Sequence, residues 1–375
     1  MRRAFNPMSI LIDAHQDLAW NIINLGRDYS LSADKTRELE KDTPIPAFNG
    51  NTLLGWPQYQ QAKSAIIFGT LFSTPRRLDK EKYATKVYTT TDEAHQQYRE
   101  NLDAYLNLSE KHPDKFRLIF NQLDLTEHMQ LWQEADHAPT NLSQQPPVGI
   151  LILMEGAEGI RRPAEVESWF NWGVRMIGLA WASNRFCGGT REPGPLTNEG
   201  QELLEHMADF GMILDISHMD QIAARQVLDM YQGQVIATHA NVEQLLKRVV
   251  NNRHLNDKII TQLIEREGVI GIIPFNNFLD PNWKNRGGRQ VVSLEDVIAH
   301  IDHICQLAGS ARHVGIGSDF DGGFGVEMVP YEIDTIADIP KLIPLLTKKG
   351  YNHEDIELIF HGNWLRILAN NLPPS

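Results

Sequence analysis

The feature of this sequence that most constrains its fold is the stretch SILIDAHQDLAW at residues 9–20. An apolar run here ends abruptly at Asp13, His15 and Asp17. Because side chains alternate along an extended strand, these three residues should point to one side, which then carries two carboxylates and an imidazole. This arrangement looks like half of a metal site. The pattern indicates a metal site specifically only if other strands of the same sheet end in further ligands.

Seven further apolar runs follow, and most are separated by segments with the start and stop signals of helices. Continuous apolar runs that alternate with helices are typical of a parallel sheet covered on both faces. Eight such units predict an α/β fold, a TIM-like (β/α)8 barrel, with its active site at the C-terminal ends of the strands. The seven runs span residues 65–72, 148–154, 173–180, 212–217, 234–238, 268–274 and 313–318. A stretch at residues 116–120 could form a further short strand outside this set.

We expect one barrel domain over residues 1–375, because the pattern of strands continues along the whole chain. Residues 21–63 are polar and contain several prolines and glycines, which predicts a long loop insertion with short helical pieces. Loops of this length in a compact domain often act as lids.

The polar residues that end the strands form one set of candidate ligands: His15, Asp17, Glu155, His218, His239 and Asp319. Imidazole and carboxylate without thiolate favour zinc over manganese, iron or cobalt. The set is too large for one tetrahedral ion, but it fits two metals about 3.5 Å apart that share a carboxylate. Such a pair lowers the pKa of a bridging water and polarises a carbonyl, so the predicted reaction class is hydrolysis.

Several neighbouring residues compete for these roles. Glu158 could replace Glu155, but Glu155 directly follows its strand. Asp321 is more typical of a residue that caps a turn than Asp319 is. Asp13 is expected to orient a ligand rather than bind metal. Isolated histidines are usually surface or packed residues, and we interpret three of them in this way: His206, His254 and His300.

The composition limits the classes of partner that the protein can bind and the cellular compartments that suit it. The formal net charge of −13 argues against binding to nucleic acid or to an anionic membrane, so we expect a small-molecule substrate. Cys187 and Cys305 are too few for a disulfide framework or a four-thiolate zinc site, which suits a reducing compartment. No stretch reaches the roughly 18 to 20 apolar residues of a membrane span, and no signal peptide is evident. The predicted location is the cytoplasm.

Eight segments in a fixed order resemble the renal (membrane) dipeptidase family of zinc peptidases, within the amidohydrolase superfamily. They are DAHQDLAW, LMEGAEG, GVRMIGLAW, DISHMD, VIATHAN, NNRHLND, PFNNF and GIGSDFDG. The resemblance covers nearly the whole chain, from residue 11 to residue 368, and indicates a bacterial-type cytosolic member. It suggests a homodimer as well.

The resemblance implies two zinc ions and five ligands: His15 and Asp17 for one ion, His218 and His239 for the other, and Glu155 as the bridge. It also implies that Asp319 meets the substrate's amino group and shuttles the proton. Arg253 would hold the substrate carboxylate, a task that suits a planar guanidinium. Recognition of both ends of a short zwitterion would make the enzyme a dipeptidase.

The chain departs from the animal enzymes at two pocket positions. Trp181 stands where they have a histidine that hydrogen-bonds the tetrahedral oxyanion, so that task would fall to the metal or to Asn184. Phe275 stands where they have tyrosine, and we expect it to line the substrate pocket together with Asn276. These changes leave two alternatives open: a related amidohydrolase for a non-peptide amide, lactam or lactone, and a metal-binding homologue without catalysis.

Overall fold

The computed structural model describes residues 10–79, 84–136, 146–246 and 251–374. Ser9 and the ends of the predicted 1–375 domain lie outside these ranges. The strands of the described part are β1 Leu11–Gln16, β2 Ser64–Leu71, β3 Thr74–Pro75, β4 Val87–Tyr88, β5 Phe116–Leu118, β6 Val148–Glu155, β7 Val174–Gly178, β8 Cys187–Gly189, β9 Glu192–Leu196, β10 Ile213–Asp215, β11 Val235–Ile236, β12 Ile270–Ile272 and β13 Val314–Ile316.

The eight predicted strands form one parallel sheet, and the predicted fold is confirmed. Their order is β11-β10-β7-β6-β2-β1-β13-β12, with every neighbouring pair parallel. A parallel bridge between Ala237 and Ile270 joins β11 to β12, so the barrel is nearly closed. The carboxyl ends of all eight strands therefore meet at one end of the barrel.

A ninth strand, β5, enters the sheet beside β6. Residues Phe116–Leu118 pair with the first part of β6, and β7 pairs with β6 only from Ile152 onwards. The edge of β6 is thus shared between two strands, and the stretch left aside in the sequence pattern belongs to the sheet.

Helices connect and cover the strands. They are α1 Leu18–Leu25, α2 Ala33–Glu40, α3 Ile45–Phe48, α4 Trp56–Gln61, α5 Thr91–Lys111, α6 Gln122–Asp136, α7 Val166–Asn171, α8 Asn198–Asp209, α9 Gln221–Met230, α10 Asp257–Glu265, α11 Asn276–Leu279, α12 Trp283–Arg286, α13 Leu294–Ala308, α14 Leu342–Lys349, α15 His353–Glu357 and α16 Asn363–Asn371. Capping residues set several helix starts: Thr197, for example, accepts a hydrogen bond from the N–H of Gly200 at 3.0 Å and begins α8. No helix of the described residues is long and apolar enough to cross a membrane.

The strands bury both of their faces, as the continuous apolar runs predict. Every residue of β2 and β6 is buried. Neighbouring residues along a strand, such as Ile66 and Ile67, belong to two different apolar clusters. Burial on both faces fixes the strand register, because a slip by one residue would exchange the two sets of side chains. This rigid frame holds the residues at the strand ends.

Candidate metal centre

The structure brings all six candidate ligands together at the C-terminal end of the barrel. Glu155 is the last residue of β6, and the other five lie in or just after four further strands: His15 and Asp17 at β1, His218 after β10, His239 after β11 and Asp319 after β13. Their donor atoms form three overlapping groups, and within each group all the atoms lie within 4.8 Å of one another. Residues more than 300 positions apart in the chain thus meet in one site.

One oxygen atom lies at the middle of this site. Oε1 of Glu155 is 3.0 Å from Nε2 of His218, 3.4 Å from Nε2 of His239 and 3.5 Å from Nε2 of His15. The Nε2 atoms of His218 and His239 are themselves 2.9 Å apart. Three imidazoles therefore point their inner nitrogens at a single carboxylate.

Two more carboxylates complete one side of the centre. Nε2 of His15 lies 4.0 Å from Oδ1 of Asp17 and 3.9 Å from Oδ1 of Asp319. The Thr70 hydroxyl on β2 donates a hydrogen bond to Asp17. Asp319 has a φ of +56°, in the left-handed region, and its N–H donates to the carbonyl of His15 at 3.1 Å. This turn holds the end of β13 against the end of β1.

The donor set fits a divalent metal. His15 Nε2 is buried and makes no well-formed hydrogen bond with any described residue, although three carboxylates lie within 4.0 Å of it. Burial lowers the pKa of His15, but the charges of these carboxylates, chiefly Glu155, outweigh burial and raise that pKa to about 10. The negative charges of these carboxylates favour a positive charge at this position, which a metal cation would supply.

Three of the other candidate ligands, His218, His239 and Glu155, are held in the forms that bind metal. Burial, helped by the charge of Arg253, lowers the pKa of His218 to about 4, and burial lowers the pKa of His239 well below its usual range. Burial alone would raise the pKa of Glu155, but the three imidazoles lower it well below its usual range. Neutral imidazoles and an ionised carboxylate are what coordination requires.

Arg253 is buried next to the ligands. Its Nη1 donates to the carbonyl of Ser217 at 2.7 Å, and its Nη2 donates to the carbonyl of His239 at 2.9 Å. These bonds fix the guanidinium at the ends of β10 and β11. Its Nε is buried and has no hydrogen-bond partner among the described residues.

The two aromatic residues expected in the pocket occupy different surroundings. The Trp181 ring lies 6.0 Å from the ring of His218 and 5.2 Å from the ring of Phe72, so it forms a wall directly beside a candidate ligand. Phe275 stacks on Phe324 with ring centroids 4.2 Å apart. Each position thus presents an apolar surface.

The two amide side chains are engaged with backbone. Asn184 Nδ2 donates to the carbonyl of Leu179 at 2.7 Å, and its Oδ1 accepts from the N–H of Phe186 at 2.9 Å. Asn276 is buried and donates to the carbonyl of Val329 at 3.1 Å. In this structure both amides stabilise loops around the barrel mouth, and their predicted contacts with substrate stay predictions.

The competing carboxylates lie outside the cluster of donor atoms. Oε2 of Glu158 accepts a hydrogen bond from the Tyr98 hydroxyl at 3.2 Å. Asp13 accepts from the N–H of Ser318 at 2.7 Å, which joins β1 to the residue preceding Asp319. Asp321 is fully buried and accepts hydrogen bonds from the 21–63 insertion.

Sequence reasoning missed the hydroxyls that contact the ligands: Thr70, Thr190 and Thr238. The only feature of the sequence that could have identified Thr238 is its position directly before His239. Thr190 lies in the turn between β8 and β9, a glycine- and proline-rich segment that gave no strand pattern.

Imidazoles and carboxylates at the C-terminal end of a (β/α)8 barrel define a metal-dependent hydrolase. The chain belongs to the membrane dipeptidase family (peptidase family M19), which matches it over residues 2–372. The predicted family is therefore confirmed.

Individual relatives agree with this assignment. The chain is 25% identical to an uncharacterized dipeptidase of Schizosaccharomyces pombe over 71% of its own length and 66% of that protein's. It is 28% identical to a dipeptidase of Aspergillus oryzae over 62% of its own length and 53% of that protein's. The chain thus spans between about half and two thirds of the length of these relatives.

A solved structure shares the fold over almost the whole chain. It is a metallopeptidase of Rhodobacter sphaeroides bound to a phosphinate mimic of the dipeptide L-Ala-D-Ala. The two proteins are 20% identical, with a TM-score of 0.75 and coverage of 97% of this chain and 99% of that one.

Proposed function

We propose that this chain is a zinc-dependent dipeptidase that hydrolyses the peptide bond of a short zwitterion. The observation that carries the proposal is the convergence of three imidazole nitrogens on Oε1 of Glu155, 3.0 to 3.5 Å away. A carboxylate in that position would be placed to bind two metal ions at once. Family membership supplies the reaction class.

The ligands divide into two sets that share Glu155. His15 and Asp17 would hold one zinc ion, and His218 and His239 would hold the other. The bound zinc pair would activate a water molecule as the nucleophile at neutral pH and would polarise the scissile carbonyl.

Arg253 recognises the carboxylate end of the substrate. Its two carbonyl bonds fix the plane of the guanidinium, and the Nε donor without a partner among the described residues leaves hydrogen-bonding capacity for a ligand. Because a guanidinium stays protonated even when buried, it can offer a charge-assisted hydrogen bond inside the site.

Asp319 binds the amino end and carries the proton to the leaving amine. Burial raises the pKa of Asp319 well above its usual range, and the nearby charges of Asp17 and Glu155 raise it further. A carboxyl with a raised pKa can hold a proton and then donate it. Together with Arg253, it allows the site to recognise both ends of a dipeptide.

The dipeptide mimic bound to the Rhodobacter sphaeroides metallopeptidase supports this substrate class and extends it to L,D-dipeptides. The Trp181 wall beside His218 suits a substrate with an apolar side chain. The indole has one N–H donor, so stabilisation of the oxyanion falls mainly to the zinc pair.

The test is to purify the protein with zinc, count the metals in each chain, and assay one sample on matched substrates. We expect close to two zinc ions, cleavage of L,L- or L,D-dipeptides, and little cleavage of tripeptides. The same dipeptides with an acetylated amine or an amidated carboxylate are the controls, and both should be poor substrates. Bound zinc with cleavage of N-acyl amino acids or lactones, but of no dipeptide, would contradict the proposal.

A further inference from the structure

The hydroxyl of Thr238 lies between histidines from the two halves of the centre. Its Oγ1 is 2.9 Å from Nδ1 of His239 and 3.3 Å from Nδ1 of His15. Thr238 is fully buried, so water does not compete for these contacts. A single side chain thus touches the outer nitrogen of one ligand from each half.

The hydrogen bonds around Thr238 determine where the protons are. The Thr238 hydroxyl donates to Oδ2 of Asp215 at 2.5 Å. Asp215 is held by other donors as well, the N–H groups of Ser217 and Thr238, each at 3.0 Å. Because a hydroxyl has one proton and Asp215 receives it, the lone pairs of Oγ1 face the two imidazoles.

It follows that both imidazoles carry a proton on Nδ1. Nδ1 of His15 and of His239 can pair with a lone pair only as an N–H donor. With Nδ1 protonated, the inner Nε2 atoms, which face Glu155, are the atoms whose lone pairs would bind a metal ion once it displaces any proton there.

We propose that Asp215 and Thr238 are positioning residues that orient one histidine of each half, so that both metal ions depend on one hydroxyl. This inference rests on the two-metal site proposed above. Thr190 provides a contrast within the same chain. Its Oγ1 contacts Nδ1 of His218 at 2.9 Å, and thus touches a ligand of one half alone among the described contacts.

The experiment measures how firmly each zinc ion is held. The zinc-loaded chain is titrated with a competing chelator, and the zinc retained per chain is counted for wild type, Thr238→Val, Thr238→Ser and Thr190→Val. Loss of a hydrogen-bond partner behind a metal ligand lowers metal affinity about 10- to 100-fold. We expect Thr238→Val to release both ions at correspondingly lower chelator concentration, Thr190→Val to release one early, and Thr238→Ser to behave as wild type.

Two results would overturn the inference: early release of only one ion from Thr238→Val, or release of both ions as in wild type. If Thr238→Val does not fold, Asp215→Asn applies the same test, because its amide would donate to Oγ1 and occupy a lone pair. Zinc retention is independent of hydrolysis. A wild type that holds two zinc ions but cleaves no dipeptide would therefore contradict the proposed function. The zinc retained by the variants would still test the role of Thr238 in that case.

Discussion

Glu155 and Glu158 are close in sequence but differ in their neighbours. Glu155 faces three imidazoles, whereas Glu158 accepts a hydrogen bond from Tyr98. We expect Glu155→Gln to lose zinc and activity together, because a neutral amide lacks the charge that binds two cations. Activity should fall by at least about 100-fold, since loss of an outer partner alone costs 10- to 100-fold. Metal analysis and turnover check this, with Glu158→Gln as the matched control that keeps both.

Normal zinc content in Glu155→Gln, or equal zinc loss from the two variants, would contradict the bridging role of Glu155. The comparison is sharp because both glutamates lie at the same barrel mouth and the same chemical change is made at each.

Glu158 predicts a pH dependence of stability. Burial raises its pKa to about 7 from an unfolded value near 4.5. Between these pH values the folded chain binds more protons than the unfolded chain, so the free energy of unfolding falls as pH rises through this window. Glu158→Gln lacks this titrating group. Its free energy of unfolding, measured relative to that of wild type, should therefore rise by roughly 1–3 kcal/mol between pH 4.5 and pH 8. Urea unfolding of both proteins at each pH checks this, and a constant difference between them would contradict it.

At the level of single residues, the sequence predicted which candidate ligands meet at the barrel mouth, because each of them lies at the end of an apolar strand. It did not predict Thr190 or Thr238, because a threonine in a loop or at a strand end has many ordinary roles. It also left Asp321 as a residue that caps its own turn, whereas its carboxylate contacts residues almost 300 positions away. Contacts of this kind depend on tertiary packing, which local patterns do not encode.

Among the elements, the 21–63 insertion is held to the barrel through Asp321. This buried carboxylate pairs with Arg27 at 3.0 Å and accepts hydrogen bonds from Tyr29 at 3.0 Å and Thr52 at 2.5 Å. The insertion contains helices α2 to α4 and begins within α1. Its attachment point is thus two residues from Asp319, which links the insertion to the metal centre.

We expect Asp321→Asn to lower the free energy of unfolding by about 2–3 kcal/mol, because Arg27 loses one of its two buried carboxylate partners and keeps only Glu40 at 2.8 Å. Asp334→Asn is the matched control. Asp334 pairs with Arg37 of the same insertion at 3.0 Å, but its side chain is 65% exposed, so its loss should cost at most about 1 kcal/mol. Urea unfolding of the two variants measures both values. Equal losses would contradict the role of Asp321 as the anchor.

The elements that the sequence pattern missed, or left outside the set of eight strands as it did β5, are short or unusual in composition. Strand β5 has three residues, two of them only half-buried, and it fills part of an edge that β6 shares with β7. The β8–β9 hairpin contains glycines and prolines, which are depleted in strands. The turn of this hairpin nevertheless places the Thr190 hydroxyl in contact with Nδ1 of His218. Long apolar runs are thus predictable because burial alone fixes them, whereas these small elements form only against an existing barrel.

Over the whole molecule, the metal centre joins the ends of five strands that span most of the chain, from His15 to Asp319. Three imidazoles and three carboxylates converge only in the folded state, so we expect zinc to bind that state in preference to the unfolded chain. Each ion present at 100 times its Kd should then add about 2.7 kcal/mol to the free energy of unfolding. Thermal unfolding at increasing free zinc checks this: the melting temperature of wild type should rise with zinc and fall on chelation. Glu155→Gln should respond much less, and an equal response would show that the stabilising zinc binds elsewhere on the chain.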